Sequence, residues 1–293
     1  MRYRVTHITE YLYHEPVSHC FNLANVIPRS TKRQRCTNNR VTVEPAVASC
    51  SQSEDYFGNM AYHFEIQRSH KKLSICSESD IKTGPQTLLM ELDQGITCGD
   101  ALAHMATSTD VETLMAKEYL FNSPIIQSSE ALKAYALPLF AEDRPLLDAV
   151  MAFTQQIFDE FTYCPKSTHI GTPLPEVLEK KRGVCQDFAH LQIGCLRALG
   201  FPAKYVSGYI ETLPPPGKEK LVGSDASHAW ISVYCPSEGW IEFDPTNRCL
   251  VGEQHIITAW GRDYSDVAPL KGVIYGGGEA PIMNVSVDVT QVE

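Results

Sequence analysis

A cysteine that follows Lys181-Arg182-Gly183-Val184 and opens a run of helical periodicity stands where a nucleophile is easily made. The spacing predicts a helix starting at Cys185, with Phe188, Leu191, Gln192, Cys195 and Leu199 on its buried face and Gly200 and Pro202 ending it. A sulfur in the first turn lies among unpaired backbone N–H groups at the positive end of the helix dipole, which favours the thiolate. The same N–H groups can hold a developing oxyanion. Most cysteines are small buried packing residues, so the case needs a base. Ser227 to Tyr234 and Gly239 to Phe243 read as strands joined by a tight turn at Pro236-Ser237-Glu238. One even hairpin register sets His228 directly opposite Asp244, and the next sets the two diagonally on the same face. Either brings a carboxylate to the imidazole, whereas an odd register turns them apart. Cys185, His228 and Asp244 are thus the candidate nucleophile, general base and orienting carboxylate of a two-step acyl transfer through a thioester.

The elements that must position these residues are legible in outline. Residues 1–85 read as a β-rich domain: Tyr3 to Ile8, Val41 to Val43 and Ala61 to Ile66 are strand-like, and Asp55-Tyr56-Phe57-Gly58-Asn59 is a turn. From 86 to 144 the chain turns helical, with segments at 97–120 and from Ser128-Ser129-Glu130, as a linker or as the opening of the next domain. Asp143 is the expected N-cap of a longer helix with Pro145 in its first turn, and Leu147, Val150, Met151, Thr154, Phe158 and Phe161 are its expected core stripe. The remainder, 145–293, carries the candidate site. A further strand is expected at Tyr205 to Ile210, and Pro214-Pro215-Pro216-Gly217 reads as a semi-rigid loop.

Composition narrows the field. A net charge of −10 argues against nucleic acid, and the basic stretch Arg29 to Arg40 reads as a solvated loop. No apolar run has the ~20 residues of a membrane span. Neither a secretory leader nor a C-x-x-C pair is evident, so the ten scattered cysteines fit a reducing cytoplasm.

Gly183-Val184-Cys185-Gln186-Asp187-Phe188-Ala189-His190 and Arg197-Ala198-Leu199-Gly200-Phe201-Pro202-Ala203-Lys204-Tyr205-Val206-Ser207-Gly208-Tyr209 closely resemble the bacterial transglutaminase-like superfamily. Ser227-His228-Ala229-Trp230, Gly239-Trp240-Ile241-Glu242-Phe243-Asp244-Pro245-Thr246-Asn247 and Gly261 to Pro269 continue the match in order. Thr9-Glu10-Tyr11-Leu12-Tyr13, Pro28-Arg29 and Asp55 to Asn59 resemble the β-domain that precedes its core. The resemblance implies an α+β fold, with an N-terminal β-sandwich-like domain followed by a papain-like transglutaminase core of helices packed on an antiparallel sheet. It implies a transglutaminase-like cysteine protease or amidase with Cys185, His228 and Asp244 as catalytic residues, no cofactor, and a protein or peptide substrate. The oxyanion hole would combine the Cys185 N–H with a side chain from upstream, for which Tyr163 is the candidate. Trp230 shares the His228 strand face and is expected to wall the site. His190, five residues past Cys185, is expected to be structural, and Asp187 to cap the helix or pair with Arg182. Hydrolysis, amine transfer and a non-catalytic scaffold remain open, and a metal site from Cys185, His190 and His228 has no regular ligand spacing behind it.

Overall fold

The structure, a computed structural model, describes residues 1–165, 167–211 and 227–292, and the Pro214 to Gly217 loop lies outside the described residues. The chain opens with five strands, β1 (Arg2–Ala24), β2 (Gln34–Glu44), β3 (Ser49–Glu54), β4 (Met60–Ile66) and β5 (His70–Thr83). Helices α1 (Cys98–Thr107), α2 (Val111–Lys117), α3 (Glu130–Ala136) and α4 (Leu146–Glu160) follow. Then come β6 (Thr162–Tyr163), α5 (Leu174–Lys180), β7 (Arg182–Gly183), α6 (Cys185–Leu199) and β8 (Ala203–Ile210). The chain continues through β9 (Ser227–Cys235), β10 (Gly239–Asp244), β11 (Cys249–Leu250), β12 (His255–Gly261) and α7 (Tyr264–Val267), and closes with β13 (Leu270–Gly276) and β14 (Ile282–Gln291). The fold is α+β, with helices packed on a curled antiparallel sheet.

The 23-residue β1 is the spine of the N-terminal sheet. β4 and β5 run antiparallel to it, pairing with Ala24 to Cys20 and with Val17 to Arg2, while β13 and β14 pair with the same two halves. The C-terminal strands, read from the sequence with the second part of the chain, are therefore strands of the first sheet. β3, polar and exposed throughout, has no periodic signal, and its turn into β4 uses Gly58 at φ +72°.

Residues 98–136 are not a separate layer. Cys98, Ala101, Ile126, Leu132 and Ala136 share one continuous core with Val150, Phe153 and Ile157 of α4 and with the buried face of α6. Ser129 caps α3 as its position predicts, accepting from Leu132 N–H. The expectation for α4 needs correction. Pro145, not Asp143, is the residue at its N-cap, and Leu146, Ala149, Phe153 and Ile157 join the buried stripe while Phe158 is 44% exposed. Both α6 and the sheet press on this helix, and the line on which they meet it is rotated by about one residue from the stripe read off one helix alone.

The second sheet has the order β11-β10-β9-β8-β12. Ala229, Ile231, Val233, Ile241 and Phe243 face α6; on the other face Glu242 meets Arg33 of the N-terminal domain, while Tyr234 and Trp240 pack on Met105, Ala116 and Leu120. Gly208 in β8 is a close-approach position: a Cβ there would sit 2.0 Å from Ile256 O and 2.6 Å from the Trp230 ring. Gln34 and Asn59, from the first domain, each donate to and accept from the backbone of β12, at Ile257 and Trp260 respectively. Two buried amides thus stand in for a neighbouring strand on this edge.

Candidate active site

Helix α6 begins at Cys185 as its periodicity predicts, and it ends at Gly200 in the left-handed region, φ +95°. Its N-cap is Val184, which has no side-chain oxygen to offer the first turn. The capping falls to Asp187, whose Oδ2 accepts from Val184 N–H (2.8 Å) and from Thr168 Oγ1 (2.6 Å). Asp187 is therefore a cap and not a partner of Arg182. Burial holds its carboxyl above the usual range. The helix start is thus fixed by its own third residue together with Thr168, and Val184 puts no side-chain oxygen over the first-turn N–H groups.

The β9–β10 hairpin adopts the diagonal register: Gly239 pairs with Cys235, Trp240 with Tyr234 and Phe243 with Ile231. His228 and Asp244 share one face, and His228 Nε2 lies 2.7 Å from Asp244 Oδ2. Both are buried, at 7% and 0% exposure. With Nε2 on Asp244, and Asn247 Nδ2 3.2 Å from the same nitrogen, Nδ1 is the nitrogen left for Cys185, which also acts on this imidazole. Burial by itself pulls the His228 pKa down. Hydrogen bonds to Asp244 and Cys185, reinforced by their charges, outweigh it and leave the pKa raised, so the imidazolium form is favoured. Asp244 shows the complement: burial opposes its charge, but bonds to His228 and His255 hold its carboxyl below the usual range.

Asp244 is held by more than the sequence reading anticipated. Its Oδ2 also accepts from His255 Nε2 (3.0 Å) and Asn247 Nδ2 (2.7 Å), and its Oδ1 from the N–H groups of Thr246 (2.9 Å) and Asn247 (3.1 Å). His255 Nδ1 accepts from Gly252 N–H (3.2 Å), so its proton sits on Nε2, facing the carboxylate. Asn247 was visible as part of an Asp-Pro-Thr-Asn turn, which places it three residues on. His255 starts the next long strand, and nothing in its spacing announces that it returns to Asp244. His228, Asp244 and His255 are the kind of trio that could hold a metal ion. In the structure these atoms are joined by hydrogen bonds of 2.7 and 3.0 Å, and the His255 Nε2 proton points at the carboxylate.

The remaining predicted residues fall out unequally. Tyr163, in β6 beside β7, is 52% exposed, and its ring lies edge-on to Phe188 with centroids 6.4 Å apart. Burial and the nearby Cys185 charge raise its pKa, so its hydroxyl stays protonated and able to donate. Trp230 is fully buried, its ring centroid 5.9 Å from that of His228 and 5.3 Å from that of His255. His190 is not at the site: its Nε2 accepts from Tyr264 N–H (3.1 Å) and burial lowers its pKa to about 3. That placement removes the Cys185–His190–His228 metal reading. Arg262 and Asp263 brace the chain after β12, Arg262 through Asp266 and Asp263 through the N–H groups of Ile125 and Ser265.

Two family descriptions match the chain: the bacterial transglutaminase-like N-terminal region over residues 3–82 and the transglutaminase-like superfamily over residues 133–245. An uncharacterized protein of Mycobacterium tuberculosis is 41% identical over 300 residues, covering 100% of this chain and 93% of that one. The chain belongs to the transglutaminase-like superfamily. A protein-glutamine gamma-glutamyltransferase of Pseudomonas aeruginosa is 34% identical over 122 residues, covering 40% of this chain and 18% of that protein. Among solved structures, a protein of Cytophaga hutchinsonii proposed to be a cysteine protease superposes with a TM-score of 0.75 at 23% identity, covering 100% of this chain and 92% of that one. This likeness establishes the fold. Among the described residues no helix is long and apolar enough to cross a membrane.

Proposed function

We propose that this transglutaminase-like protein is a cysteine-dependent acyl-transfer enzyme that cleaves an amide or peptide bond of a protein or peptide substrate through a thioester. The observation that carries the reading is the contact of His228 Nε2 with Asp244 Oδ2 at 2.7 Å, on an imidazole whose charged form Cys185 also favours. In this scheme the thiolate–imidazolium pair attacks the carbonyl, and the charge on oxygen is met by the Cys185 N–H and the Tyr163 hydroxyl. His228 then gives its proton to the departing amine, and the acyl group remains on sulfur. A water deprotonated by His228 adds to the thioester and releases the acid and the thiol. Trp230 walls the His228–Asp244 contact away from solvent, which strengthens it.

Amine transfer is the second reading, favoured by the likeness to the gamma-glutamyltransferase, and it shares every step up to the thioester. Incubating the wild type and Cys185→Ala with casein and a fluorescent primary amine separates the readings. New peptide termini in the wild type alone support hydrolysis, and fluorescent casein in the wild type alone supports transfer. Neither product, together with a Cys185 no more alkylable than the other nine cysteines, sinks both in favour of a scaffold.

A further inference from the structure

Beside Gln34 and Asn59, another side chain of the N-terminal domain reaches the second sheet, next to the candidate site. Arg33, just ahead of β2, is nearly buried and forks onto Glu242, with Nη2 3.0 Å from Oε2 and Nε 3.5 Å from Oε1. The same Oε2 accepts from Trp230 Nε1 (2.7 Å). The other guanidinium nitrogen, Nη1, donates to the carbonyls of His255 (3.1 Å) and Gly252 (3.4 Å). Glu242 precedes Asp244 by two residues on β10 and so shares its face, while His255 opens β12.

The order of the sheet gives these contacts their meaning. β10 and β12 are separated by β9 and β8 and share no backbone ladder. The sheet curls until its two sides meet, and the seam is closed by side chains: His255 onto Asp244, and Arg33 between Glu242 and the His255 carbonyl. Further along, Gln86 holds Glu242 by both backbone groups, with bonds of 2.8 and 3.1 Å. Backbone ties the seam on one side only: β11 pairs with β10, Val251 N–H donates to Glu242 O (3.1 Å), and a short turn leads from there to His255, so the bonds that pin this turn to Glu242 help to set the distance between His255 and Asp244.

We propose that Arg33 is a positioning residue for the catalytic carboxylate, so that the N-terminal domain is part of the active site and not an appended module. The proposal rests on the catalytic reading of Cys185, His228 and Asp244. Arg33 holds the seam at the width where His255 and His228 both donate to Asp244 Oδ2. Without it, the near-buried Glu242 loses its ion pair and is left with the more distant charge of Lys204 on β8, and the His255 end of β12 can drift from Asp244.

The test compares full-length wild type, His228→Ala, Arg33→Lys and Arg33→Met by the pH profile of Cys185 alkylation, with thermal melting alongside. The wild type is expected to alkylate with a pH midpoint that depends on His228 and moves in His228→Ala. Arg33→Met should raise the midpoint by about one pH unit, the scale of one charge-assisted hydrogen bond. Arg33→Lys, which keeps the cation opposite Glu242 and loses the fork, should fall between. A wild type without a His228-dependent midpoint fails the catalytic reading itself. A wild type that shows it, beside Arg33 variants that melt earlier but keep the same midpoint, overturns the Arg33 assignment alone. Should Arg33→Met not fold, Arg33→Lys is decisive, and an unchanged midpoint there overturns it equally.

Discussion

Replacing Asp244 by Asn changes one atom and one charge, and the structure says why neither orientation of the amide fits. Oδ1 accepts from two backbone N–H groups and Oδ2 from His228, His255 and Asn247, so both sides of the carboxylate face donors only. An amide NH2 toward the histidines meets their N–H groups and drives His228 to the tautomer with its proton on Nδ1, the nitrogen that must accept from Cys185. Turned the other way, it meets Thr246 and Asn247 N–H and leaves them unpaired, at about 1–3 kcal/mol. The lost charge adds to this. At about 4 Å between charge centres and an effective dielectric of about 20, the pair is worth roughly 4 kcal/mol. Five donors share the carboxylate, and the amide oxygen still accepts on one side, so a net loss of about 2–3 kcal/mol is expected. That corresponds to a roughly 30- to 150-fold slower iodoacetamide reaction of Cys185 near neutral pH. The assay is the alkylation rate by peptide mass spectrometry in the wild type, Asp244→Asn, His228→Ala and the double variant. Because Asp244 acts through His228, the double variant should be no slower than His228→Ala. Wild-type reactivity in Asp244→Asn, or additive losses in the double variant, would refute the reasoning.

Three other outcomes follow from the same geometry. Tyr163→Phe should slow p-nitrophenyl acetate turnover by about 10- to 100-fold while leaving iodoacetamide alkylation unchanged, since only the ester passes through an oxyanion; equal effects on both would remove Tyr163 from the oxyanion site. Gly208→Ala should cost about 3 kcal/mol or more in urea unfolding, because the Ile256 carbonyl and the Trp230 ring stand within 2.6 Å of the added carbon; a loss under 1 kcal/mol would mean that β8 and β12 part easily. Finally, burial lowers the pKa of His7 to about 4 and of His190 to about 3. The unfolded chain protonates these residues near pH 6.5 and the folded chain only at those lower values, so stability falls as pH drops through that window, by a few kcal/mol in all. Urea titrations from pH 7 to 4 measure it, and His190→Gln, whose side-chain oxygen can still accept from Tyr264 N–H, should flatten the slope.

Local chemistry determined much of this protein. The Cys185 helix start, the Gly200 stop and the β9–β10 hairpin follow from residue types and spacing within about 20 positions, and with them the pairing of His228 with Asp244. The register itself was left open between even and odd, because a one-residue change in the turn moves His228 and Asp244 to opposite faces, and the structure adopts an even one. Other features had no local signature. The α4 stripe was misplaced because its buried face is set by partners that periodicity does not name. β13 and β14 could not be assigned to the first sheet from their own residues, since their partner lies at the other end of the chain. His255 was silent for the same reason, and Arg33 was misread: the stretch Arg29 to Arg40 is not a solvated loop, since Arg33 is nearly buried and β2 starts at Gln34. His255 meets Asp244 only because the sheet curls until β12 comes round to β10, and Arg33 meets both sides of that seam only because another domain packs on it. Sequence spacing reports neighbours along one element, whereas the closure of a curled sheet is a property of all its strands together.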